Sequence, residues 1–340
     1  MARIHIYVHG RGRGHASRCA RISEELRRRG HDVLAVAGAD AVPVMTKVVP
    51  TEPVDSLPPS LGLATATGLM ARLLDALHRN RRARPDVVVS DGDLPGLAAA
   101  RISGVPAIAI GHGLVFLSCR APAGAPRLPW LRESIKARLS SLGASRRIAV
   151  NFVDLPLRRR DAELVRPPVE RWPLAARRDA VVCYFRDGVD AARLELLARV
   201  APGAQVFTAK SPTVVPAGVT VRPLDPGAFV ASLAGARAVI ASAGSQLISE
   251  CIAHGMPLFV VHARDDDEQR CNAHMLVSAG LGHAAPADAL DEAALRQFLL
   301  APAVRGVARM PGREGAAAVA DACEALSSTA GRAAPVSGAA

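Results

Sequence analysis

Short apolar runs alternate with stretches of helical periodicity along this chain, and the alternation occurs in two series separated by a proline-rich interval. In the first series the runs predicted as strands are 4–8, 32–37, 87–90, 105–110 and 147–150, with helices over 16–29, 61–79, 94–103 and 131–142. In the second, strands are predicted over 180–185, 205–208, 219–222, 238–241 and 258–261, with helices over 191–200, 227–235, 245–254 and 268–279. Strands apolar on both faces and spaced by helices imply a parallel sheet covered on both sides. Two such series make an α/β protein with two open, doubly wound domains in tandem. The 340 residues suit two domains of roughly 150 each. We place the first at 1–155, a linker at 156–178 where Pro156, Pro167, Pro168 and Pro173 gather among charges, and the second at 179–326. Further helices are expected from Leu290 and over 314–326, the last folding back onto the first domain. The Ala-, Gly-, Ser- and Pro-rich tail, 327–340, is expected to be disordered.

Composition narrows the function. Aromatic residues are only 3%, which argues against a base-stacking platform, and no nucleic-acid partner is expected. The net charge of +11 is almost all arginine, since Lys47, Lys136 and Lys210 are the only lysines. Either coding bias or an anionic partner, a diphosphate or a membrane surface among them, accounts for this surplus. The six cysteines show no C-x-x-C pair or disulfide ladder, and no apolar stretch reaches the ~18 residues of a membrane span. A cytoplasmic protein is expected, with peripheral membrane contact left open. Metal-ligand patterns are absent from the sequence, so no metal and no cofactor is expected.

Three places carry chemistry. Gly10-Arg11-Gly12-Arg13-Gly14-His15 follows the first strand and opens a helix, where glycine lets backbone approach a ligand and the helix N-terminus favours negative charge. Its G-x-G-x-G spacing is not a dinucleotide fingerprint. His15 is either a proton acceptor or a helix-start residue. Ser90-Asp91-Gly92-Asp93 and Gly111-His112-Gly113 end strands on the same sheet edge. Asp91 either supports His15 or caps the next helix, and His112 either lines an acceptor pocket or makes a turn. In the second domain Ser242-Ala243-Gly244-Ser245 ends a strand and starts a helix able to hold a diphosphate, with Glu250 placed to accept hydroxyl protons and Glu268-Gln269 at the next helix start.

The segment Gly12 to Arg18 resembles the G-x-G-H-x-x-R loop of bacterial and archaeal GT-B glycosyltransferase-like proteins. Similar loops occur in the GlcNAc transferase of peptidoglycan synthesis and in the nucleotide-sugar hydrolase of pseudaminic acid synthesis. The stretch 242–282 resembles the donor half of GT-B enzymes, with Ser245 replacing the usual second glycine and Glu268 the more frequent aspartate. The resemblance implies a GT-B fold, two Rossmann-like domains facing across a cleft. It also implies His15 as base with Asp91 behind it, Gly12 and Gly14 toward donor phosphate, and Ser242, Gly244, Ser245 and Gln246 around the diphosphate. Glu250 would meet the ribose, Glu268 and Gln269 the sugar, and His112 the acceptor. Apart from the resemblance, the base is expected over the loops after the second-domain strands, with the backbone at Leu224 near it, and Arg186 is either near the phosphates or an ordinary solvated arginine. The activity implied is inverting, metal-independent transfer from a UDP- or TDP-sugar donor to a hydroxyl of a small-molecule, glycan or lipid-linked acceptor. Donor hydrolysis and nucleotide binding without turnover remain alternatives.

Overall fold

A computed structural model describes residues 1–10, 13–56, 63–169, 171–175, 179–300 and 310–332. Arg11 and Gly12 of the glycine loop lie outside them, as do 57–62, 301–309 and the tail from 333. The chain forms two compact units: Met1–Ala121 with Leu131–Val169 and Pro311–Ala340, and Pro122–Trp130 with Glu170–Met310.

The first unit carries seven parallel strands, β1 (Arg3–Val8), β2 (Asp32–Ala37), β3 (Thr51–Pro53), β4 (Val87–Asp91), β5 (Ala107–Gly111), β6 (Arg146–Val150) and β7 (Ala162–Val165). Their order in the sheet is β3-β2-β1-β4-β5-β6-β7. Between them run α1 (Arg13–Arg28), α2 (Val42–Met45), α3 (Leu63–Ala83), α4 (Leu94–Ile102), α5 (Leu114–Ser118) and α6 (Arg127–Ser140). Cys19, Ile22 and Leu26 recur at helical spacing along α1 and bury against Ile4, Ile6 and Val8 of β1. Gly10 follows β1 for a packing reason. A Cβ there would stand 2.0 Å from Ser56 Oγ and 2.7 Å from the Cα of Gly38, so the ends of β1 and β2 come together only as bare backbone.

The second unit holds six parallel strands, β8 (Ala180–Phe185), β9 (Ala204–Thr208), β10 (Val219–Arg222), β11 (Ala236–Ser242), β12 (Leu258–His262) and β13 (His283–Pro286), in the order β10-β9-β8-β11-β12-β13. Its helices are α7 (Ala191–Val200), α8 (Pro226–Ala234), α9 (Ser245–Ala253), α10 (Asp267–Ser278) and α11 (Glu292–Leu300). The predicted strands and helices of both series recur within one to four residues at each end, because apolar runs buried on both faces declare themselves without tertiary information.

Two boundaries differ from expectation. The stretch read as linker contains β7, whose Glu163 pairs with Ile148 and Leu164 with Ala149 of β6. Only Val165 of this four-residue edge strand is fully buried, and a run this short, set among charges and prolines, does not stand out as a strand in the sequence. The last helix, α12 (Gly315–Arg332), folds back onto the first unit as expected, so the domain boundary placed at 326 falls inside a helix of the first unit. Val319 and Cys323 enter the core beside α1, and Arg29 Nη1 holds Asp321 at 2.5 Å and Glu324 at 3.3 Å. Backbone bonds from Arg166 N to Arg313 O (2.9 Å) and from Gly315 N to Arg166 O (3.0 Å) anchor its start beside β7. Residues 327–332 of the expected tail are helical.

Replacing Gly10 with Ala forces β1 and β2 apart and should cost about 1–3 kcal/mol of stability. The check is urea unfolding at unchanged m-value.

Candidate functional site

Ligands in open parallel sheets bind outside the carboxyl ends of strands, where the strand order reverses. In the first unit that point lies between β1 and β4, with β2 on the other side of β1. The end of β1 is tied to β4 by a backbone bond from His9 N to Asp91 O (3.0 Å). Asp91, the last residue of β4, is completely buried. His15, in the first turn of α1, places Nδ1 2.8 Å from Asp91 Oδ1. Arg18 lies one turn further along the same helix face. It grips the same carboxylate with two bonds, Nε to Oδ2 at 2.7 Å and Nη2 to Oδ1 at 2.9 Å. The thiol of Cys19 adds a weaker contact to Oδ2 at 3.6 Å.

Burial alone would raise the Asp91 pKa, but the adjoining Arg18 guanidinium and His15 ring hold it well below the usual carboxylate range. An ionised carboxylate only accepts, so Nδ1 of His15 carries the hydrogen and, in the neutral ring, Nε2 carries the lone pair. The His15 side chain is 34% exposed, so the imidazole meets solvent while Asp91 does not. Burial and the neighbouring Asp91 charge push the Cys19 thiol up, making it a weak donor rather than a nucleophile. Two glycines make room for the pair. Gly92 has φ of 72° and would carry a Cβ 3.4 Å from His15 Cε1, and a Cβ at Gly111 would stand 3.1 Å from Asp91 Oδ1.

The choice between supporting His15 and capping a helix is decided by the neighbour. Asp93, not Asp91, is the N-cap of α4, accepting from Gly96 N at 2.9 Å. Gly14 lies in the first turn of α1. His112 is buried, stacked on Phe152 and edge-on to Phe116, with Nδ1 3.0 Å from Val150 O. It ties the end of β5 to β6 instead of projecting from the sheet edge. Neither Arg18 nor Cys19 was singled out as an Asp91 partner by sequence. The helical i, i+3 spacing of His15 and Arg18 was the available signal.

In the second unit the order reverses between β8 and β11. Ser242 ends β11, and Gly244 is the N-cap of α9, where a Cβ would meet nothing within 4 Å. With no side chain on its cap residue, the first turn of α9 presents its amides outward. Buried Asn272 of α10 fixes this loop by donating Nδ2 to Ala243 O at 3.0 Å. Along α9, Ser249 Oγ bonds the Ser245 carbonyl at 2.6 Å, and Gln246 Nε2 donates to half-buried Glu250 Oε1 at 2.9 Å. At the start of α10, Asp266 is the N-cap. It accepts from Gln269 N (2.9 Å) and Gln269 Nε2 (2.8 Å), while Glu268 is half-buried beside it. Arg186, after β8, is exposed and paired with Asp187 at 3.0 Å, and Leu224 is half-buried in the turn before α8. Ser242, Gly244, Ser245, Gln246, Glu250, Glu268 and Gln269 thus share the carboxyl edge of β11 and β12.

The profile of glycosyl transferase family 1 matches residues 61–302, more than half of the chain. The chain belongs to this family. It is a glycosyltransferase, and the match includes Asp91 and the loops of β8, β11 and β12 but starts after the His15 loop. No curated protein matches it. Among solved structures, the kitacinnamycin glycosyltransferase is 19% identical with a TM-score of 0.68, over 96% of this chain and 99% of its own. MurG of Acinetobacter baumannii is 15% identical with a TM-score of 0.58, over 95% and 99%. A Streptomyces sp. SF2575 glycosyltransferase solved with thymidine diphosphate is 19% identical with a TM-score of 0.62, over 96% and 100%. The glycosyltransferase shares with them the GT-B fold of two Rossmann-like domains.

Removing Arg18 strands the Asp91 carboxylate. Arg18→Met should therefore destabilise the enzyme by about 3–5 kcal/mol at pH 7. Because the folded-state pKa of Asp91 is depressed, its contribution is present above the ordinary carboxylate pKa of about 4 and lost as pH falls through the folded value. Denaturant unfolding from pH 7 down to about pH 2 should show the gap between wild type and Asp91→Asn narrowing only below about pH 4.

Proposed function

We propose that this glycosyltransferase moves a sugar from a nucleotide-diphosphate donor, UDP- or TDP-linked, to an acceptor hydroxyl with inversion and without a metal. The observation that carries the reading is the buried, ionised Asp91 holding Nδ1 of His15, which leaves Nε2 as the basic nitrogen. Nε2 takes the acceptor proton as the hydroxyl oxygen attacks the anomeric carbon, and the carbon–oxygen bond to the diphosphate breaks on the opposite face. Asp91 stabilises the imidazolium that forms, while remaining ionised itself. The departing diphosphate is received by the amides at the start of α9 around Gly244 and Ser245, with Ser242 and Gln246 beside them and Arg186 as a further cation. Glu250 accepts from the ribose hydroxyls, Glu268 and Gln269 from and to the sugar, and the backbone at Leu224 meets the base. The Streptomyces relative solved with thymidine diphosphate supports a diphosphate nucleotide as ligand. Six buried cysteines with no disulfide among them suit a reducing compartment, and we place the enzyme in the cytoplasm.

Thermal shift against UDP, TDP, GDP and ADP is the first test, since a ligand of the folded state raises the midpoint. One uridine or thymidine diphosphate should raise it equally with magnesium and with EDTA, and Glu250→Ala should abolish the rise. With that donor, His15→Ala should keep the shift and lose about 10²–10⁴-fold in turnover. Donor cleavage that no acceptor alcohol accelerates would make water the nucleophile. Binding with no turnover in wild type would leave a nucleotide-binding protein.

A further inference from the structure

In a surface helix the apolar stripe faces the core and charges face water. α6 is apolar on both sides. Its inward face is Trp130, Glu133, Ala137 and, just past its end, Ser141, all buried. Its outward face carries Leu131, Ile135, Leu139 and Leu142, exposed by 56, 51, 54 and 50%. Their spacing of four, four and three residues keeps them on a narrow stripe of the helix surface. Arg132 and Lys136 follow Leu131 and Ile135 on one flank, and Arg138 stands on the other, all exposed, with Arg146 exposed at the start of β6. The single carboxylate of this stretch, Glu133, is turned inward and bonded to Lys136 Nζ at 2.6 Å. No described helix is long and apolar enough to cross a membrane.

We infer that the outward face of α6 is a docking surface for a bilayer rich in anionic lipid, lying in the interface with its leucines in the acyl boundary and its cations among the headgroups. An aliphatic stripe rimmed by long basic side chains is the composition of interfacial helices, because Lys and Arg stems lie along apolar surface while their charges reach the headgroup phosphates. A second copy of the chain fits less well. A two-fold interface would bring Arg132, Lys136 and Arg138 against their own counterparts, where like charges repel. A protein partner's hot spot would favour aromatic anchors, and the stripe has none. The inference is independent of the donor, the acceptor and the role of His15.

The experiment is flotation of the purified full chain with phosphatidylcholine vesicles, with and without phosphatidylglycerol, alongside light scattering of the free protein. Binding should be about tenfold or more stronger to the anionic vesicles and should vanish near 1 M salt, where the Debye length is about 3 Å. The triple variant Leu131→Gln, Ile135→Gln, Leu139→Gln should lose it while keeping the wild-type circular dichroism and thermal midpoint, since these side chains are already in water. Arg132→Glu with Arg138→Glu should lose the preference for anionic vesicles. Absence of wild-type binding, or triple-variant binding equal to wild type, overturns the inference. A wild-type dimer that the triple variant converts to monomer also overturns it, and assigns the face to a second copy.

Discussion

The buried carboxylate of Asp91 is the interaction on which the first unit's site depends. A charge removed from water is tolerated only when its lone pairs are satisfied and its field is balanced. Here Arg18 supplies two bonds and the opposite charge, and His15 supplies a third bond. Each partner constrains the next. The ion pair keeps Asp91 acceptor-only, which sets the hydrogen on Nδ1 of His15 and so decides which imidazole nitrogen is basic. Because Arg18 and His15 are one turn apart on α1, the helix and the end of β4 are locked in register by the same groups that hold the Asp91 charge.

Both units use the same geometric device. At each reversal of strand order two adjacent loops leave the sheet in opposite directions and open a crevice at the carboxyl edge. The first unit fills this place with ionisable groups on α1 and β4. The second places there a glycine-capped helix start and a buried asparagine that pins the loop. The first is a buried ion pair that holds an imidazole, and the second is a helix start whose backbone amides face outward. Family membership assigns a transferase to the chain.

The core is mainly small and aliphatic. With Ala, Val, Ile and Leu doing nearly all the packing, sheet and helices approach closely, as Gly10 against Gly38 and the alanines of α12 beside α1 show. Large apolar side chains nonetheless stand on the water side of α6, whose inner face already buries Trp130 with Glu133, Ala137 and Ser141.

The strand–helix alternation, the parallel sheets, the two-unit plan and the proximity of the His15 and Asp91 loops followed from the chain itself. Apolar runs, glycine turns and helical periodicity are local signals that fold topology only has to obey. His15, Asp91 and Gly244 stood out in the sequence because each stands next to a strand end or helix start, where position carries meaning, and Glu250 because it lies within the helix that Gly244 caps. Tertiary structure alone decided the rest. It recruited the short β7 as an edge strand, because pairing with β6 supplies hydrogen bonds that no local pattern announces. The return of α12 to the first unit, expected from the sequence, is held by contacts that only the fold supplies, those of Arg29 with Asp321 and of the Arg166 backbone with Arg313 and Gly315. Tertiary structure gave the helix cap to Asp93 and freed Asp91 for Arg18, buried His112 between two phenylalanines, and turned the leucines of α6 outward. Each of these depends on which distant groups meet in space, and that is information the order of residues does not print.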